Sequence, residues 1–185
     1  AYRDDDQYSN SGSAYVFTNN FGSWGQAAKV VASDPSKWAY FGVAVSIISN
    51  SSFVAGAKNE DNIGAAYAFT SVNSSWVQAS KVEASDGYSD NQFGISVSAL
   101  GSSSFVVGAD YQKSAYVFTS VNESWAQAAK VEPDPTSDYF GHAVSGMSDV
   151  AFVVGAYKDD DLATNSGSAY VFTASNSGTW VQVDK

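Results

Sequence analysis

Grouped carboxylates are where this sequence comes nearest to a chemical site. Asp4-Asp5-Asp6 lies in YRDDDQYSNSGSAYVFT (2–18), and Asp159-Asp160-Asp161 lies in YKDDDLATNSGSAYVFT (157–173). In extended chain Asp4 and Asp6 fall on one side, as do Asp159 and Asp161, so each pair could chelate a cation. Calcium takes oxygen donors of this kind, with Asn10 or Asn165 and loop carbonyls to complete the shell. The same residues also suit a solvated acidic loop with Asx turns. Elsewhere the corresponding loops read KNEDN (58–62) and DYQKS (110–114), so the triple acid is not required throughout. Calcium at Asp4, Asp6, Asp159 and Asp161 stands as one expectation and the solvated loop as the other.

Other reactive groups are sparse. His142 is the only histidine, and it occupies a place held by Val43 and Ile95 in related segments. With no cysteine and no G-x-S-x-G elbow to partner it, packing or a rim contact is expected there, and no enzyme. Trp24, Trp76, Trp125 and Trp180 could stack on sugars, but each follows a turn at one fixed place, as a framework residue would. Trp38, Tyr40, Tyr88 and Tyr139 lie in variable connections, and Tyr111 and Tyr157 follow a Gly-Ala pair or its next residue. Those six aromatics are the expected binding surface, because ligand contacts concentrate on loops. Three N-x-[ST] sequons start at Asn50, Asn73 and Asn122, all in turn-like sequence, and they point to a secreted or cell-surface glycoprotein.

Composition narrows the classes. Apolar residues make up 44% and charged ones 15%, too apolar for a disordered chain. The net charge of −10 opposes binding to nucleic acid. No apolar run reaches the roughly 18–20 residues that a spanning helix needs. The sequence opens AYRDDD, without an initiator Met or a signal segment, which is the look of a processed chain or a cut from a longer one.

The elements that must position these residues repeat. AYVFT or AYAFT recurs at 14–18, 66–70, 115–119 and 169–173, and W-x-Q-x-x-K begins at Trp24, Trp76, Trp125 and Trp180. Phe-Gly followed by Val-Ser recurs from Phe41, Phe93 and Phe140, and a Gly-Ala follows an apolar run at Gly56, Gly108 and Gly155. The unit is about 50 residues long and holds four short stretches rich in Val, Phe, Tyr and Trp, divided by Ser, Asn, Gly and Asp. Those are strand and turn signals. In YFGVAVSI one side is large and apolar and the other small and uncharged, so both faces of the sheet must be covered. Four-stranded antiparallel sheets, stacked face to face every 50 residues, make the blades of an all-β β-propeller. A duplicated Greek-key sandwich is the weaker alternative.

At these residues the chain resembles the FG-GAP repeat family, the repeat of integrin α-chain propellers and of many secreted bacterial and algal proteins. The resemblance implies a propeller. It does not bring the family's calcium site, because the loops corresponding to D-x-D-x-D-G read IISNSS, SALGSSS and SGMSDV. About three and a half blades are expected: a half blade at 1–37 and blades at 38–86, 87–134 and 135–185. Exposed edges would then drive pairing with copies of the chain or with adjoining repeats. The expected role is a non-catalytic extracellular structural or adhesive module, and the alternative is a lectin-like propeller binding glycans, with or without calcium.

Overall fold

In a computed structural model, residues 1–121, 124–133 and 137–185 are described, and they form fourteen strands. The half unit gives β1 (Ala14–Asn20) and β2 (Ser23–Val30), paired with each other. The next sheet is β3 (Phe41–Ser49), β4 (Ser52–Ala57), β5 (Ala65–Val72) and β6 (Ser75–Val82). It is followed by β7 (Ser96–Ala99), β8 (Ser104–Ala109), β9 (Ser114–Val121) and β10 (Ser124–Val131). The last sheet is β11 (Phe140–Ser148), β12 (Ala151–Ala156), β13 (Ser168–Ala174) and β14 (Trp180–Asp184). Each sheet is an antiparallel meander in chain order. The chain is thus all-β, with three four-stranded blades and one two-stranded sheet among the described residues.

An aromatic stack holds each four-stranded sheet together. In the second blade Phe105 lies flat on Phe118 at 5.4 Å and tilts against Trp125 at 4.6 Å, while Phe93 meets Tyr116 and Phe118 edge-on. The first and third blades repeat this with Phe53, Phe69, Trp76 and with Phe152, Phe172, Trp180. These tryptophans are framework residues, packed on their own sheet. Offset stacks and edge contacts are favoured ring geometries, and each ring buries a large apolar area.

Glycine lets neighbouring blades meet. Gly94 has φ +91°, and a Cβ there would lie 2.3 Å from the carbonyl oxygen of Ala65 in the preceding blade. Gly56 faces it, and a Cβ at Gly56 would come within 2.0 Å of the Gly94 carbonyl. Phe-Gly and Gly-Ala are therefore the two halves of one backbone-to-backbone contact. Ser46 and Ser98 add a hook, accepting hydrogen bonds from Ala99 N and Gly146 N of the following blade at 3.0 and 2.9 Å.

A bulge sits after the Gln of every W-x-Q, leaving one unpaired residue on the outer strand. Trp and Lys are five apart, an odd spacing that would put them on opposite faces of a regular strand. The bulge restores them to one face, so that Lys81 stands opposite Tyr67 and Lys130 opposite Tyr116.

Candidate functional site

An up-and-down meander sends alternate loops to opposite rims. The inter-blade connections and the loops between second and third strands share one rim, and the tight turns share the other. Asn50 and Asn73 lie on the turn rim, whereas Asn122 lies outside the described residues. All six expected aromatics lie on the loop rim.

There they form two groups. Around the first junction Tyr40 packs beside Tyr2 and Trp38, with ring centroids 6.0 and 6.4 Å apart, and Lys58 stands over Tyr40. Between the second and third blades, Tyr111 meets Tyr139 edge-on at 5.6 Å and Tyr139 meets Tyr157 at 5.0 Å. Lys158 lies 4.4 Å above the Tyr139 ring, a cation–π contact. Tyr88 donates from its hydroxyl to the Tyr111 carbonyl. Tyr40 and Tyr139 directly precede Phe-Gly and have φ near +57° and +58°, left-handed backbone that costs a bulky residue energy. This conformation turns the ring out onto the rim.

His142 makes the expected rim contact. It lies 4.5 Å from the Tyr157 ring, and its Nδ1 is 2.8 Å from Oδ2 of buried Asp110. Among the described residues the second oxygen of Asp110 has no hydrogen-bond partner. Asp110, Tyr111, Lys113, Asp138 and Tyr139 line a cavity of about 310 Å³. Asp110, Lys113, Asp138 and Lys158 could not be singled out from sequence, since no other unit has this combination at its junction.

The acid clusters serve lysines. Lys29 bridges Asp4 and Asp6, and Lys185 bridges Asp159 and Asp161. The carboxylates offered to calcium by the sequence are thus bound to ammonium groups, and among the described residues no cluster of three or more acids or histidines suited to a metal is present. In the middle units the corresponding acid comes from the inter-blade connection. Asp34 accepts from Tyr67 Oη at 3.0 Å and pairs with Lys81 at 2.8 Å, and Asp86 does the same with Tyr116 and Lys130. Each lysine also lies over its tyrosine ring. The Gln of W-x-Q strengthens the joint, with Gln78 and Gln127 accepting from Ser33 N and Ser85 N.

Charges respond accordingly. The Lys29 and Ser13 hydrogen bonds hold Asp4 down at about 2. Burial opposes ionisation of Asp159, but hydrogen bonds from Ser168, Lys185 and Tyr170 outweigh it and also bring that group to about 2. Burial, helped by the Asp86 carboxylate, pushes Tyr116 up. A recurrent Asp–Tyr–Lys clamp is the result, and it ties loops to sheets.

Comparison with known proteins fits this architecture. A family model described as FG-GAP repeat matches residues 24–69, 76–118 and 125–172, well over half of the chain. The chain belongs to the FG-GAP repeat family. Each matched FG-GAP segment runs from the Trp of one sheet to the third-strand Phe of the next, so the covalent repeat straddles two blades. Saccharomyces cerevisiae Sqt1, a WD40-like propeller, is similar in structure, with a TM-score of 0.56 and 14% identity over 78% of this chain. That likeness concerns fold alone, and this chain spans 35% of the Sqt1 chain. Among curated proteins no match is found.

Proposed function

We propose that this FG-GAP chain is a non-catalytic, extracellular structural or adhesive propeller module that assembles with copies of itself or with adjoining repeats. One observation carries the reading. Phe17 and Trp24 of the half blade are 55% and 70% exposed, although their counterparts Phe118 and Trp125 are packed into the aromatic stack. An exposed aromatic pair beside an open strand edge is a surface that favours association. The sequons at Asn50 and Asn73, both in turns, favour an extracellular setting. The charge of −10 argues against nucleic acid as partner. No helix of the described residues is long and apolar enough to cross a membrane.

Light scattering tests the assembly. The wild-type chain is expected to give a mass above that of 19.5 kDa, rising with concentration, and the Phe17→Ser, Trp24→Ser double variant is expected to fall back to a monomer. A wild-type chain that stays monomeric throughout removes self-association from the reading.

The rim cluster supports a second reading, carbohydrate binding. Tyr111 and Tyr157, each about half exposed, offer ring surface on either side of Tyr139, and the paired Lys113 and Asp138 offer polar groups at the edge, a combination suited to a pyranose ring. On a glycan array the chain is expected to retain a sugar with or without chelator, and Tyr139→Ala to lose it by about tenfold or more, the worth of one good aromatic contact. Silence on every sugar ends this reading.

A further inference from the structure

The half blade exposes more than a hydrophobic patch. Beside it lies a slot of about 700 Å³, walled by Tyr15 and Phe17 on one side and by Val45, Ile47 and Phe53 on the other. Val45 and Ile47 are on β3, at positions that the second blade covers with its neighbours. The free edge of β1 forms the floor, since among the described residues β1 pairs only with β2.

In the other three sheets the equivalent space holds the first two strands of the blade. There a first-strand Phe meets the third-strand Tyr and Phe edge-on, and a second-strand Phe stacks on the third-strand Phe and leans on the Trp. Tyr15, Phe17 and Trp24 hold the same places with both partner rings absent from the described residues. The serine hook has its receiving position too, because Ile47 of β3 corresponds to Ala99 and Gly146.

We infer that the slot is a receptor for a β-hairpin of the form F-G-x-x-V-S…F-V-V-G-A, whose second strand pairs with the edge of β1. The slot is continuous with the contact between the half blade and the first blade, and it is the fourth instance of a seat that this molecule fills three times. The chain's own candidates, β3–β4, β7–β8 and β11–β12, are each paired within a sheet and would have to leave it. The inference rests on the reading that the half blade is the assembling surface, and it names the occupant.

The test places residues 138–155 of this chain directly before Ala1, which stands where Ala57 and Ala156 stand in their blades. The prefixed chain is expected to melt about 5–10 °C higher, the response to a few further packed aromatic contacts in a domain of this size, with Trp24 emission shifted to the blue. A second prefix carrying Ser at both Phe positions is expected to change neither. If the native prefix alters neither melting nor emission, the hairpin is not the occupant, whatever the mass of the unprefixed chain. If the unprefixed chain is monomeric while the native prefix still acts, self-association fails and the hairpin receptor stands.

Discussion

Phe118→Ala is expected to destabilise the chain by about 3–5 kcal/mol, while Phe17→Ala at the same place in the repeat costs about 0.5 kcal/mol or less. Phe118 is 2% exposed, with Phe105 flat against one face and Phe93 edge-on. Removing it leaves a cavity that the flanking sheets cannot close, because their spacing is set by backbone contacts at Gly56, Gly94, Gly108 and Gly141. Phe17 leaves no closed cavity behind, since it is already 55% exposed. Thermal melts followed by circular dichroism separate the two, with a drop of roughly 10 °C for Phe118→Ala and almost none for Phe17→Ala. Equal losses would mean that the half blade is covered, and both the assembly reading and the hairpin receptor would lose their footing.

The blade was legible in the sequence because its markers are covalently local. Phe-Gly, Gly-Ala and W-x-Q each report a strand and its turn, and their recurrence reports the period. The bulge was written there as well, in the odd spacing of Trp and Lys, but a strand template of period two gives no reason to look for it. The clamps were harder. Asp34 reaches Tyr67 and Lys81 from the connection that precedes their sheet, and only the matching positions of Asp34 and Asp86 after a fourth strand hint at it. Carboxylates at Asp4 and Asp159 look the same whether a cation or a lysine faces them, and Lys29 is distant in sequence. Of the rim aromatics, Tyr111, Tyr139 and Tyr157 converge because one rim collects their loops, whereas the Asp110–His142 pair occurs at a single junction and had no repeat to announce it.

Glu60 sets the largest expected pH effect. It begins the 3-10 turn Glu60–Asn62, at the loop position where Asp4 and Asp159 grip their lysines, yet it is 1% exposed. Among the described residues neither of its carboxylate oxygens has a hydrogen-bond partner. Burial pushes it up to about 7, and the nearby Asp61 and Asp34 carboxylates add to this, while the Ser36 hydroxyl and the Lys81 ammonium pull the other way without prevailing. A carboxyl whose folded value is raised binds its proton more tightly in the native state. Its contribution is full below about 4.5 and is lost as pH rises through about 7, a loss on the order of 3 kcal/mol by pH 8. The clamps act elsewhere, because Asp4 and Asp159, held at about 2, lose their contribution only as pH falls from about 3.8 through 2. Glu60→Gln is therefore expected to flatten the stability profile between pH 5 and 8 and to leave the chain more stable than wild type at pH 8. His142 is present in both proteins and cancels from the difference. Urea melts at half-unit pH steps supply the measurement, and parallel profiles for the two proteins would show that Glu60 ionises as freely folded as unfolded.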